Sequence, residues 1–249
     1  MPLIFLLKEQ TITQQSQIFN ITSAKINDKQ YFQEQICSDI YNSYYWSDDW
    51  SDSFYIELAK AGFISTSHET PEGLILLPEL QTDYALLDFK DLHISKKVQR
   101  LRNEMPCSLT FNSKFDEVLA SFSKQHKYNW LKDEYVDVLK SLHSSNTSRE
   151  GFKVISVELV CKKSGKLIAG EVGYIIKKTY TSLSGFSSRE KEHANYGTLQ
   201  LVLLAQYLES QGFEFWNLGH PHMPYKKRLG CKVYTREQFL KRWREATLQ

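Results

Sequence analysis

Apolar residues along the chain recur with two spacings, one helical and one strand-like. In "NSKFDEVLASFSKQH", Phe115, Val118, Leu119 and Phe122 fall at i, i+3, i+4 and i+7, the stripe of a core-facing helix. Ser113 stands at its N-cap position with Asp116 three residues on. "DEYVDVLKSLH" repeats the stripe through Tyr135, Val138, Leu139 and Leu142. Ser51 is placed to cap a helix that runs to Ala61 and ends at Gly62. "GTLQLVLLAQYLESQGF" is apolar nearly all round, which predicts a buried helix ended by Gly212. Thr235 and Gln238 have capping-box spacing at the start of an amphipathic closing helix.

Strand patterns fill the intervals. "GLILLPEL" and "YALLDF" lie between Gly73 and Leu92. Two long strands follow Gly151, joined near Ser164-Gly165, and then a third. "FEFWNL" reads as a short inner strand, and Leu3 to Leu7 as a first one. That opening run is too short for a signal peptide or a membrane span. The order of elements implies an α+β protein with a mixed sheet and flanking helices. The junction around Asp88 to Leu92 divides it into a small N-terminal α/β domain, residues 1–88, and a larger domain, residues 89–249.

Composition adds little until charge is split along the chain. An apolar fraction of 41% and a charged fraction of 24% are those of an ordinary soluble globular protein. Residues 1–150 carry 15 basic against 21 acidic side chains, and residues 151–249 carry 16 against 8. A C-terminal excess of that size suits a polyanionic partner such as RNA. Cys37, Cys107, Cys161 and Cys231 are far apart, without a CxxC pair, and read as reduced thiols in a cytoplasmic protein.

The candidate chemistry is concentrated in "FEFWNLGHPHMPYKKRLG", Phe213 to Gly230. His220 and His222 are alternate residues of an extended stretch, so their rings splay, and no Cys or third His stands at metal-site spacing. No metal is expected. Lys226, Lys227 and Arg228 form one basic run; Lys96, Lys97, Arg100 and Arg102 form another on a helix face. Each run is either a contact for an RNA backbone or a solvated face.

Several segments, in order, resemble the leucyl/phenylalanyl-tRNA–protein transferase family. "DLHISKKVQRLRNE" is similar to its "SLHIS…R" segment, and "YIELAKAGFI" to the helix before its "GIFPW". Trp130 in "NWL" falls where the family has a tryptophan. "GFSS", "YLESQGFEFWN" and "LGCKVYTREQFLKRW" match its "MFSR", "GGKLIDCQ" and "SLGA…R…FL" segments. The likeness covers roughly residues 48 to 245.

The resemblance implies a GNAT-like (acetyltransferase-like) fold. It also implies transfer of leucine or phenylalanine from aminoacyl-tRNA to the N-terminal residue of a protein, marking that protein for degradation. It assigns Trp130 to stacking on the tRNA 3′ adenosine, and Phe186, Ser187 and Gly219 to the substrate pocket. Lys96, Lys97, Arg100, Lys226, Lys227 and Arg228 are the residues expected to hold the tRNA backbone. The reaction needs no cofactor, and a monomer is expected.

Two departures bear on the chemistry. Leu183 stands where the family has a glutamate that orients the substrate. Asn217-Leu218-Gly219 stands where "DCQ" supplies a carboxylate and an amide at the reacting centre, and an asparagine cannot take a proton. His220, three residues on, has an imidazole suited to proton transfer near neutrality. Asn217 and His220 are therefore the expected catalytic pair; the other reading of His220 is a solvent-facing loop residue. Competing functions are a catalytically silent protein of this fold that binds tRNA or a peptide N-terminus, and an acyl-thioester-dependent acyltransferase. For the second, "SSREKEHANYG" offers only Gly197 as a phosphate-loop glycine.

Overall fold

The computed structural model describes residues 18–125, 130–144 and 151–248; the strand expected at Leu3 to Leu7 lies outside them. A seven-stranded sheet is the framework. Its strands are β5 (Asp83–Leu87), β6 (Cys107–Phe111), β7 (Phe152–Cys161), β8 (Leu167–Ile176), β9 (Thr179–Ser187), β10 (Phe215–Asn217) and β11 (Lys232–Thr235), in the spatial order β11-β5-β10-β9-β8-β7-β6. Strands β6 to β9 form an antiparallel meander, β10 runs parallel to β9, and β5 is antiparallel to both β10 and β11.

A parallel pair needs a crossover, and the apolar helix Tyr196–Ser210 supplies it between β9 and β10. It buries Leu199, Val202, Leu204, Ala205 and Leu208 against one face of the sheet. The opposite face is covered by helices at Asp52–Lys60, Phe115–Gln125, Asp133–Ser144 and Arg236–Leu248. Covered on both sides, β7 and β8 are buried along most of their length, which is why they read as near-continuous apolar runs. This is the α+β arrangement with a mixed sheet expected from the sequence.

The N-terminal part adds an antiparallel hairpin, β3 (Ile64–Thr70) and β4 (Gly73–Glu79). The division expected after residue 88 falls behind β5, which lies inside the sheet between β10 and β11. The larger core likewise joins Ile21, Ile36 and Phe54 to Phe215, Phe239 and Trp243. Sheet and core thus draw on both sides of that cut.

Helix boundaries follow local chemistry. Ser51 Oγ accepts from Phe54 N, and Gly62 beyond that helix takes φ +98°. Thr235 and Gln238 form the reciprocal pair of a capping box, at 3.0 and 3.4 Å. Ser113 does not cap its helix. Its hydroxyl donates to Glu158 Oε2 at 2.9 Å, while Glu158 Oε1 accepts from Lys114 N. A buried carboxylate from β7 thus serves the helix N-terminus. All four cysteines are free thiols.

Candidate active site

Strand β10 ends at Asn217, and the backbone turns away from β9 at Gly219, which has φ +69°. Asn217 Oδ1 accepts from Gly219 N at 2.9 Å and its Nδ2 faces Thr181 Oγ1 at 3.5 Å. At 1% exposure its amide is committed to shaping this turn. Ala85 N donates to Gly219 O at 2.7 Å, and Leu218 N donates back to Ala85 O, so β5 holds the turn from the other side.

The turn delivers His220 to a carboxylate that sequence reasoning did not identify. His220 Nε2 lies 2.9 Å from Glu79 Oε2, with side-chain exposures of 30% and 8%. Glu79 ends β4. Its neighbour Gln81, only 2% exposed, donates from Nε2 to Glu79 Oε2 at 3.4 Å. The Gln81 amide also borders the turn: a Cβ added to Gly219 would lie 3.7 Å from its Nε2 and 4.0 Å from its Oε1. The carboxylate and amide that the resemblance leads one to seek at residues 217 and 219 therefore have counterparts, Glu79 and Gln81, against the same turn. A signal existed: "GLILLPELQ" ends an apolar strand on a carboxylate, an uncommon place for an unpaired charge.

The segment carrying Glu79 is pinned by Arg236, a buried guanidinium that takes only neutral acceptors among the described residues. It donates to the carbonyls of Leu80 (2.6 Å), Gln81 (3.2 Å), Asp39 (2.5 Å) and Asn42 (3.1 Å). The Tyr44 hydroxyl lies beside the Glu79 carboxylate. Burial above all, and then that charge, raise its pKa.

Lys226 departs from expectation. Instead of reaching for an RNA backbone it is 5% exposed, and its Nζ donates to the carbonyls of Leu218 and, at 2.6 Å, His220. It ties the short helix Pro224–Leu229 to the turn at Leu218 and His220. Burial lowers its pKa to about 8. Lys227 and Arg228 of the same helix are exposed, as are Lys96, Lys97 and Arg100 on the helix Lys96–Glu104. The two basic runs are neighbours, because His93 N donates to Leu229 O at 2.9 Å. Arg100 also pairs with Glu104 at 2.8 Å.

Trp130 is half-buried, edge-on to Tyr135 with ring centroids 5.1 Å apart, and its carbonyl accepts from Ser67 Oγ. Ser67 and Ile64 lie on β3, where Ile64 pairs with Glu79 and borders Gly219. Three residues of strand, roughly 10 Å, thus link the tryptophan's contact to the Glu79–His220 pair. Phe186 and Leu183 pack on the same core. Leu183 is the extra residue of a β-bulge, since Val172 pairs with Ser184 and Gly173 with Ser182. Ser187 closes β9 against the N-terminus of the crossover helix, where a Cβ at Gly197 would meet its Cβ at 2.9 Å.

On the other face of β8 and β9 lies Glu171, 3% exposed. It accepts from Tyr180 Oη (2.8 Å), Ser182 Oγ (2.7 Å) and Gln200 Nε2 (3.1 Å). Burial raises its pKa, against the opposing pull of these hydrogen bonds. Trp216 Nε1 donates to the same Ser182 hydroxyl at 2.8 Å. Among the described residues the one metal-like cluster, Glu190, Glu192 and His193, is mostly exposed and stands at the surface.

Comparison with known proteins agrees with the motifs. The family model described as leucyl/phenylalanyl-tRNA protein transferase matches residues 86–244. A leucyl/phenylalanyl-tRNA–protein transferase of Maridesulfovibrio salexigens is 29% identical over 62% of this chain and 61% of its own length. One from Flavobacterium johnsoniae is 24% identical over 62% and 69%. The chain thus spans about three fifths of the first relative's length. Among solved structures, FemX aligns with a TM-score of 0.47 at 10% identity, covering 78% of this chain and 70% of that one. No described helix is long and apolar enough to cross a membrane.

Proposed function

Because the chain belongs to the leucyl/phenylalanyl-tRNA–protein transferase family, we propose that it is a cytoplasmic, monomeric aminoacyltransferase. It moves a leucine- or phenylalanine-type residue from aminoacyl-tRNA to the N-terminal residue of an acceptor protein, tagging that protein for degradation. The observation that carries the reading is the Glu79–His220 pair, 2.9 Å apart at the end of β10.

The reaction is aminolysis of an ester. With Nε2–H donated to the Glu79 carboxylate, His220 keeps Nδ1 free to take the proton of the acceptor ammonium. His220 passes that proton to solvent, and the amine attacks the ester carbonyl and forms the C–N bond. His220 then takes the second proton from the nitrogen and gives it to the leaving ribose oxygen as the C–O bond breaks. Asn217 acts on no proton here; it fixes the turn that presents His220. Trp130 supports the 3′ adenosine, and Leu183, Phe186 and Ser187 border the pocket for the transferred side chain. Lys96, Lys97, Arg100, Lys227 and Arg228 attract the tRNA backbone.

The test is to incubate the protein with single aminoacyl-tRNAs and Arg-, Lys-, Asp- or Glu-initiated peptides, and to weigh the products. A gain of one leucine or phenylalanine residue on a basic N-terminus is expected. His220→Ala should slow it about 10²-fold. No mass gain in any combination overturns the reading and leaves a fold that binds tRNA or peptide without chemistry.

A further inference from the structure

We propose that Glu79, Gln81 and Tyr44 form a binding site for a primary ammonium group, the protonated N-terminus of the acceptor. The inference rests on the transferase reading for the identity of the ligand, but the site stands on its own observations.

The first is an imbalance of donors and acceptors. Gln81 Nε2 points at the Glu79 carboxylate, and this fixes which way the amide faces. Its Oε1 is then left buried with no hydrogen-bond partner. The Tyr44 hydroxyl faces the same carboxylate, which draws its proton, and it has no other hydrogen-bond partner among the described residues, so its oxygen is left as an acceptor. Buried acceptors left unpaired cost stability, so two of them around one carboxylate call for a donor-rich ligand.

The second is the chemistry of the ligand that fits. An ammonium has three N–H donors and no acceptor, and the site presents a carboxylate, an amide oxygen and a hydroxyl oxygen. A carboxylate or phosphate would be repelled by Glu79, and a water molecule would bring only two donors. The third is position. Gln81 borders Gly219, and Glu79 binds His220, so a cation here lies beside the imidazole ring. Glu79 would therefore serve twice, holding the charged acceptor and orienting the base.

The experiment measures binding and turnover separately. An Arg-initiated peptide and its Nα-acetylated form are titrated into the full chain without tRNA. The free amine should bind about 10-fold or more tightly than the acetylated peptide. Gln81→Leu and Tyr44→Phe should each weaken that binding, and raise peptide KM about 10-fold with kcat little changed. Melting curves report whether each variant is folded, and Tyr44→Phe removes a single oxygen. Equal binding of the two peptides, or unchanged affinity and KM in both folded variants, would overturn the site and leave the orphaned acceptors to buried water. Amine-dependent binding without transfer from any aminoacyl-tRNA would instead sink the transferase reading and keep the site. Transfer with KM unchanged in both variants would do the reverse.

Discussion

Lys226 allows a prediction whose size follows from its surroundings. Its ammonium is 5% exposed, donates to two carbonyls, and has no carboxylate beside it among its hydrogen-bond partners. Burial takes its pKa from 10.5 to about 8, so the folded state holds that proton less tightly than the unfolded chain does. The sign follows. Above 10.5 both states are neutral and nothing is lost; as pH falls towards about 8 the unfolded state gains protons first, and below that the penalty is complete. A depression of that size corresponds to roughly 3 kcal/mol at neutral pH. Between about pH 7 and about pH 9.5, roughly 2 kcal/mol of it should be relieved.

Lys226→Met keeps the length of the side chain and removes the titration. Urea unfolding of both proteins at the two pH values, with equal slopes, isolates the lysine from every other group that titrates. The wild type should gain roughly 2 kcal/mol relative to the variant on going to the higher pH. A difference that stays flat, or that moves the other way, would mean the ammonium is solvated and the carbonyl tether is misread. Peptide transfer should survive the rise in pH, since a neutral amine still has two N–H donors for the Leu218 and His220 carbonyls.

Two further outcomes are expected. Glu171 has a raised pKa, so its burial penalty grows as pH rises through its folded value; Glu171→Gln should stabilise the protein at neutral pH, with the gain fading in acid, as followed by thermal melting at several pH values. If aminoacyl-tRNA is held electrostatically, replacing Lys227 and Arg228 together should flatten the log–log salt dependence of binding by about 1.4, and an unchanged slope would make that run a solvated face.

Much of the scaffold was legible because its signals are local. The stripe through Phe115, Val118, Leu119 and Phe122 needs only the helical period, and all four are buried. The reciprocal contact of Thr235 and Gln238 spans three residues. The site was less legible because its members are distant. Glu79 and His220 are 141 residues apart, and nothing local to either announces the other. Lys226, Lys227 and Arg228 look alike in sequence, yet successive helical residues point about 100° apart, and only packing decides which one faces inward. Asn217 read as a lost catalytic acid from its position, and its amide turned out to be occupied in building the turn.

The place of β5 has a consequence for how the protein comes off the ribosome. This strand is synthesised well before its two neighbours in the sheet, Phe215–Asn217 and Lys232–Thr235. Until they emerge, Asp83–Leu87 is an apolar strand with both edges open, in a nascent chain that has already made the antiparallel meander. Such a strand is a template for wrong pairing, and contacts this far apart in sequence form slowly. The turn at Asn217–His220 is therefore complete only once β10 and β11 have been made and close on either side of β5. A protein truncated before Lys232 should be unable to do so, and should depend on chaperones to stay out of aggregates.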